Sequence, residues 1–315
     1  MTSLKGLSLS KKFYNDYFDS LFEGLDSYKS CVAVGMVGKG SECFGFDDDI
    51  SRDHDFKAGF CLWLTDEDDD KIGFKLMRAY SKLPKEYMGY SMEAQSILGN
   101  SKYGVHRIKS FYKSLIGLEE APKTWQQWFY IPSYALAEAT NGEVFKDELG
   151  EFSAIRNKLL SYYPNDVALK KLSAYLSLAA QSGQYNYMRC IKHGELAASQ
   201  LAINEFVNNI LNIIFILNKA YLPFYKWRFK ALRTLPTLRN LEPLLYKLLT
   251  TSNDTSMPLE KSKSIENIAY LIIEQLNKNN LSNSNSDYLE THAIEVTKRI
   301  EHREIASLHL MDYGA

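Results

Sequence analysis

Gly38-Lys39-Gly40-Ser41-Glu42, entered from Cys31-Val32-Ala33-Val34-Gly35-Met36-Val37 and followed after an acidic loop by Asp53-His54-Asp55, is the stretch from which the rest of the chain is read. The apolar run predicts a strand, and the glycines after it let a backbone come close to an anion. Backbone N–H groups of Gly40 and Ser41 can then point at phosphate oxygens where a helix begins. Asp53-His54-Asp55 opens a second strand-like run that reaches Leu64. Alternation along a strand puts Asp53 and Asp55 on one face, and His54, Phe56, Ala58, Phe60, Leu62 and Leu64 on the other. The second set is apolar after its first member, so one face is expected on a core and the other on a site. Carboxylates two residues apart on a strand lie roughly 7 Å apart at Cα, close enough to hold one Mg²⁺ or to bracket a pair.

Outward from this stretch, Phe13, Tyr17, Leu21 and Leu25 recur at four-residue steps, which predicts a helix over about 10–25 leading into the first strand. After the carboxylate strand, Asp66 is expected to cap a helix carrying Ile72, Leu76, Ala79 and Leu83, with the acidic run Asp66 to Asp70 at its positive end. A turn around Gly99-Asn100-Ser101 precedes a third core strand at Tyr103 to Ile108, and Ser110 to Ile116 begins another helix. From Thr124 onward the pattern is helical almost throughout. The expected fold class is α+β, with a small mixed sheet flanked by helices in residues 1–118 and an all-helical domain over 119–315.

A net charge of −1 over 315 residues, with a sequence pI near 6.6, provides no global basic field for nucleic acid. Cys31, Cys43, Cys61 and Cys190 lack zinc spacing and suit free thiols in a reducing compartment. No signal peptide opens the chain, because Lys5, Lys11 and Lys12 lead into a polar, aromatic-rich stretch. The most apolar segment, Phe206 to Leu217, is interrupted by asparagines and reads as a buried helix rather than a membrane span. A cytoplasmic protein with no membrane partner is the expectation. Tyrosine is abundant, at 21, which suits either core filling or a stacking surface.

The order helix, strand, Gly-Ser, loop, Asp-x-Asp strand resembles the polymerase-β-like nucleotidyltransferase superfamily. It looks like the branch that includes kanamycin nucleotidyltransferase, and it is more similar still to a bacterial family of uncharacterised proteins in that superfamily. Three blocks carry the resemblance, over about residues 1–240: Gly40-Ser41-Glu42 through Asp53-His54-Asp55, then Gly142-Glu143-Val144-Phe145-Lys146-Asp147-Glu148-Leu149-Gly150, then Tyr221-Leu222-Pro223-Phe224-Tyr225-Lys226-Trp227. The resemblance implies transfer of a nucleoside monophosphate, most simply AMP from ATP, to a hydroxyl of an unknown acceptor, with release of pyrophosphate. Asp53 and Asp55 would then hold Mg²⁺, two ions in all, while Gly40, Ser41, Glu42 and Lys226 would contact the nucleotide.

One departure stands out. The superfamily places a third carboxylate on the next core strand, where this chain reads Tyr103-Gly104-Val105-His106-Arg107-Ile108. His106 can serve as base instead, since imidazole titrates near neutrality. The acid can also come from the second half, where Glu138, Glu143, Asp147 and Glu148 are candidates and Glu138 and Asp147 are preferred. The alternative is a nucleotide-sensing or partner-binding module that has lost catalysis.

Overall fold

The computed structural model describes residues 5–48, 58–91, 102–254 and 257–314. Asp53 and Asp55, and the expected turn at Gly99 to Ser101, lie outside the described residues. Helix makes up 62% of the chain, so the sheet is a small inset in an α+β protein. The strands are β1 (Ala33–Met36), β2 (Cys61–Leu64), β3 (Glu86–Tyr87), β4 (Tyr90–Ser91), β5 (Gly104–Arg107) and β6 (Glu143–Lys146). β3 and β4 form a separate hairpin, and the core sheet has the order β5-β2-β1-β6. β2 runs antiparallel to β1 and parallel to β5, and β6 runs antiparallel to β1.

Contacts divide the chain into two compact units, Met1–Pro122 with Ala135–Ser161, and Lys123–Tyr134 with Tyr162–Ala315. Residues 135–161 thus return to the sheet-bearing unit, because β6 hydrogen-bonds along β1. The sequence reading treated β6 as part of the helical half. Four residues between helices, flanked by glycines, gave no helix period long enough to register as a break.

In the first unit, alternation along the central strands is obeyed on one face. Ala58, Phe60, Leu62 and Leu64 share a buried cluster with Val32, Val34, Leu9, Phe13, Leu21, Ile72 and Leu76. The opposite face of β2 is buried as well. Trp63 is fully buried and stacks on Phe152 from the Glu151–Leu160 helix, with ring centroids 4.0 Å apart, while Phe111 meets its edge. The expectation that this face opens onto a site is corrected for Cys61 and Trp63: a central strand with helices on both sides hides both faces.

The first helix is Gly6–Tyr17, and tighter 3₁₀ turns at Asp19–Phe22 and Asp26–Cys31 replace the rest of the expected single helix. The second helix is capped by Thr65, not Asp66: the Thr65 hydroxyl accepts the Asp68 N–H at 3.1 Å. Asp66, Glu67 and Asp68 occupy its first turn as expected, and Asp66, Asp69 and Asp70 also pair with Lys109 and Arg107 at the end of β5.

The second unit packs helices around Leu196–Leu217, a helix of 22 residues, longer than the sequence reading allowed. It is long and apolar enough to cross a membrane by composition, yet half of its apolar window is buried inside the protein. Ile203, Phe206, Val207, Ile210, Leu211, Ile214 and Phe215 form that buried side. Lys171 is buried in the same unit and donates to the Phe129 carbonyl at 2.7 Å and the Tyr313 carbonyl at 2.6 Å. Its neighbour Lys170 donates to His309 and Leu310 carbonyls, both at 2.9 Å. The two side-chain amines thereby fasten the segment 309–313 to the helix Asn165–Ala179.

Candidate functional site

The Gly38–Glu42 turn leaves the end of β1. Gly38 and Gly40 sit at φ +117° and +119°, backbone that side-chain-bearing residues rarely adopt. A Cβ on Gly40 would fall 2.4 Å from Lys102 Nζ and 2.5 Å from Glu42 Oε2, so a side chain there displaces the ends of that pair as well as straining the backbone. Two residues from the other end of the first unit lock the turn. Gly38 N–H donates to Asn141 Oδ1 at 2.9 Å, and Asn141 Nδ2 returns a bond to the Gly38 carbonyl at 2.8 Å. Gly142 N–H donates to the Cys43 carbonyl at 2.8 Å, and a Cβ on Gly142 would lie 1.9 Å from the Met36 carbonyl oxygen.

A buried ion pair underlies the turn. Lys102 Nζ donates to Glu42 Oε1, and the Tyr103 hydroxyl donates to the same oxygen at 3.2 Å. Burial works to lower the Lys102 pKa, but Cys43 and the Glu42 carboxylate beside it overcome that and hold it above its ordinary value. Burial also pushes the Cys43 thiol up to about 11 and Cys61 to about 12, so neither is a ready thiolate.

Above this floor the chain bends through Lys39, Gly40 and Ser41 into a three-residue 3₁₀ turn, Glu42–Phe44. The helix expected after the turn is this short, because Gly45 in the left-handed region stops it at once. Among the described residues, the backbone N–H groups of Lys39, Gly40, Ser41 and Glu42 donate to no other residue. Lys39 is exposed on the turn. A run of undonated amides with one exposed ammonium is an arrangement that accepts an anion.

The sequence-derived residues divide as follows. Gly40 and Ser41 form the turn. Glu42 sits beneath it as the partner of Lys102 and Tyr103, which occupies its carboxylate and makes it a support rather than a contact for an anion. Glu138, on the helix Ser133–Thr140, is close enough to Cys43 to contribute to raising its pKa, after burial and other neighbours. Asn141, three residues on, holds Gly38. Glu138 is therefore brought to the base of the turn.

Asp147 is not free for chemistry. Its two oxygens accept Gly150 N–H at 2.9 Å and Ser153 N–H at 2.7 Å, closing the start of the Glu151–Leu160 helix. Glu143 pairs with Lys11 and Glu148 with Lys146. His106 lies on β5 opposite Trp63, and burial lowers its pKa, leaving it neutral near pH 7. The Phe111 ring lies 6.5 Å from His106 and 3.9 Å from a Cβ built on Gly38. Lys226 belongs to the second unit, in the turn Tyr225–Trp227 with its ammonium 5.0 Å from the Trp227 ring. Among the described residues, no group of three or more His, Cys, Asp or Glu is placed to hold a metal ion.

Sequence reasoning missed Lys102, Tyr103, Asn141 and Lys39. Only Asn141-Gly142 carried a signal, as a turn dipeptide; its partner Gly38 is 103 positions away.

Among known families, the model for a domain of unknown function, DUF4037, matches residues 128–228. That span takes in Glu138, Asn141, the Gly142–Gly150 block and the Tyr221–Trp227 block, and stops short of the Gly38–Glu42 turn. No curated protein matches the chain.

Proposed function

We propose that the protein transfers a nucleoside monophosphate, most simply AMP from ATP, to a hydroxyl of a small or macromolecular acceptor, in a cytoplasmic setting. The observation that carries this reading is the Gly38–Glu42 turn, whose amides at 39–42 have no acceptor among the described residues and whose shape is fixed by Asn141. In the proposal, the N–H groups of Gly40 and Ser41 bind β- and γ-phosphate oxygens, and Lys39 adds charge at the same place. Asp53 and Asp55 would hold Mg²⁺, whose chemistry there is to neutralise charge on the attacking and leaving oxygens.

The described carboxylates fit that role only in part. Glu42 and Asp147 are committed to other partners, and Glu138 stands close enough to Cys43 to act on its thiol. Glu138 is assigned to orient the acceptor hydroxyl and take its proton as pyrophosphate departs. The absence of a carboxylate from the strand Gly104–Arg107 favours the second reading, a module that binds nucleotide without turning it over.

Titration calorimetry with a non-hydrolysable ATP analogue and Mg²⁺ tests both readings. Asp53→Asn or Asp55→Asn should abolish the magnesium-dependent binding seen in the wild type. Equal affinity in wild type and Asp55→Asn removes the metal assignment. Binding without magnesium-dependent pyrophosphate release, across candidate acceptors, selects the second reading.

A further inference from the structure

Between the Leu196–Leu217 helix and the chain that follows it, the second unit carries a solvent-open groove of about 240 Å³. Its apolar lining is Val207, Leu211, Phe229 and Leu249. Arg228 and the amides of Asn204 and Asn208 supply its polar groups. Arg228 is the informative member. Its Nη1 donates to Asn208 Oδ1 at 2.9 Å and its Nε reaches the Pro223 carbonyl at 3.4 Å, both of them neutral acceptors.

Among the described residues, no carboxylate pairs with Arg228, whereas Arg233 of the next turn pairs with Glu242 at 2.8 Å. Burial lowers the Arg228 pKa, yet a guanidinium keeps its proton at any working pH. A permanent cation has lost part of its water with no counter-charge in return, and an arriving anion offsets that cost. Lys226 adds positive charge nearby, with its ammonium 5.0 Å from the Trp227 ring. Tyr225, 68% exposed, is a further lining residue that can lie against a flat ligand.

We propose that this groove binds a small organic anion, its flat apolar body against Phe229, Leu249 and Tyr225 and its carboxylate or phosphate oxygens on Arg228. The groove lies wholly within the second unit, so the proposal stands apart from the nucleotide reading of the Gly38–Glu42 turn.

Calorimetry on the full chain with benzoate, phenyl phosphate and benzyl alcohol as probes tests it. Saturable binding of at least one anion is expected, with the uncharged alcohol at least about ten-fold weaker, as a charge-assisted hydrogen bond requires. The tighter of the two anions identifies the head group. Arg228→Gln should weaken the anion at least about ten-fold. Because Arg228 also ties Pro223 to Asn208, a second variant is needed: Asn204→Phe fills the groove, leaves both of those bonds in place, gives up only the Gln200 Nε2 bond to Asn204 Oδ1 at 3.0 Å, and should abolish binding with the fold retained in thermal melts. Absence of saturable anion binding in the wild type, or wild-type affinity in both variants, overturns the proposal.

Discussion

Replacing Lys102 by Met removes the cation beneath the Gly38–Glu42 turn and leaves the Glu42 carboxylate behind. The Glu42 side chain is 10% exposed and that of Lys102 27% exposed, so the pair is largely withdrawn from water. Breaking a buried pair from one side costs about 3–5 kcal/mol, because the remaining charge keeps its desolvation penalty. Here Tyr103 still donates to Glu42 at 3.2 Å, which places the expected loss at the lower end, about 3 kcal/mol. Glu42→Gln alone should cost about 2 kcal/mol, since the lysine can swing toward solvent. The double variant should lose less than the sum, with a coupling energy of about 2 kcal/mol. Urea unfolding at pH 7 measures the cycle, and hydrogen exchange at Val34 to Met36 localises it to the first unit. Nucleotide affinity should fall with Lys102→Met and recover in part in the double variant. A Lys102→Met protein within about 0.5 kcal/mol of wild type, or a coupling energy near zero, would refute the reasoning.

The same pair sets an alkaline limit: because the folded Lys102 pKa lies above its ordinary 10.5, its contribution is complete below that value and disappears as pH climbs past the folded one, a loss that Lys102→Met should not show. In the second unit the sign is opposite. Burial lowers Lys171 to about 7, so the unfolded chain binds more protons between about 7 and 10.5 and stability should rise with pH across that window, a slope that Lys171→Met flattens in thermal melts. Gly142→Ala should lose more than about 3 kcal/mol, because its Cβ meets the Met36 carbonyl at 1.9 Å, whereas Gly150→Ala, with nothing within 4 Å, should lose only the roughly 1 kcal/mol of its left-handed backbone; comparable urea midpoints for the two would contradict this. Asp147→Ala should cost about 1–2 kcal/mol and spare turnover, and Glu138→Gln should remove turnover with ATP-analogue binding retained once an acceptor is known; turnover lost in Asp147→Ala and kept in Glu138→Gln would exchange their roles.

The sequence by itself determined what local rules govern. Valines and small residues between 31 and 37 demand a strand, glycines at 38 and 40 demand a turn, and the alternation of Ala58, Phe60, Leu62 and Leu64 picks out the core face. It also fixed the α+β class, because helical periodicity and alternation are properties of neighbours in the chain. Tertiary structure alone decided what the polar residues do. Glu42, Asp147 and Glu138 are carboxylates of the same kind in sequence, yet one meets Lys102, one caps a helix and one lies beside Cys43. The reason is range: a side chain's role follows from partners that β6 and Asn141 bring back across about a hundred residues, and no local pattern encodes that return.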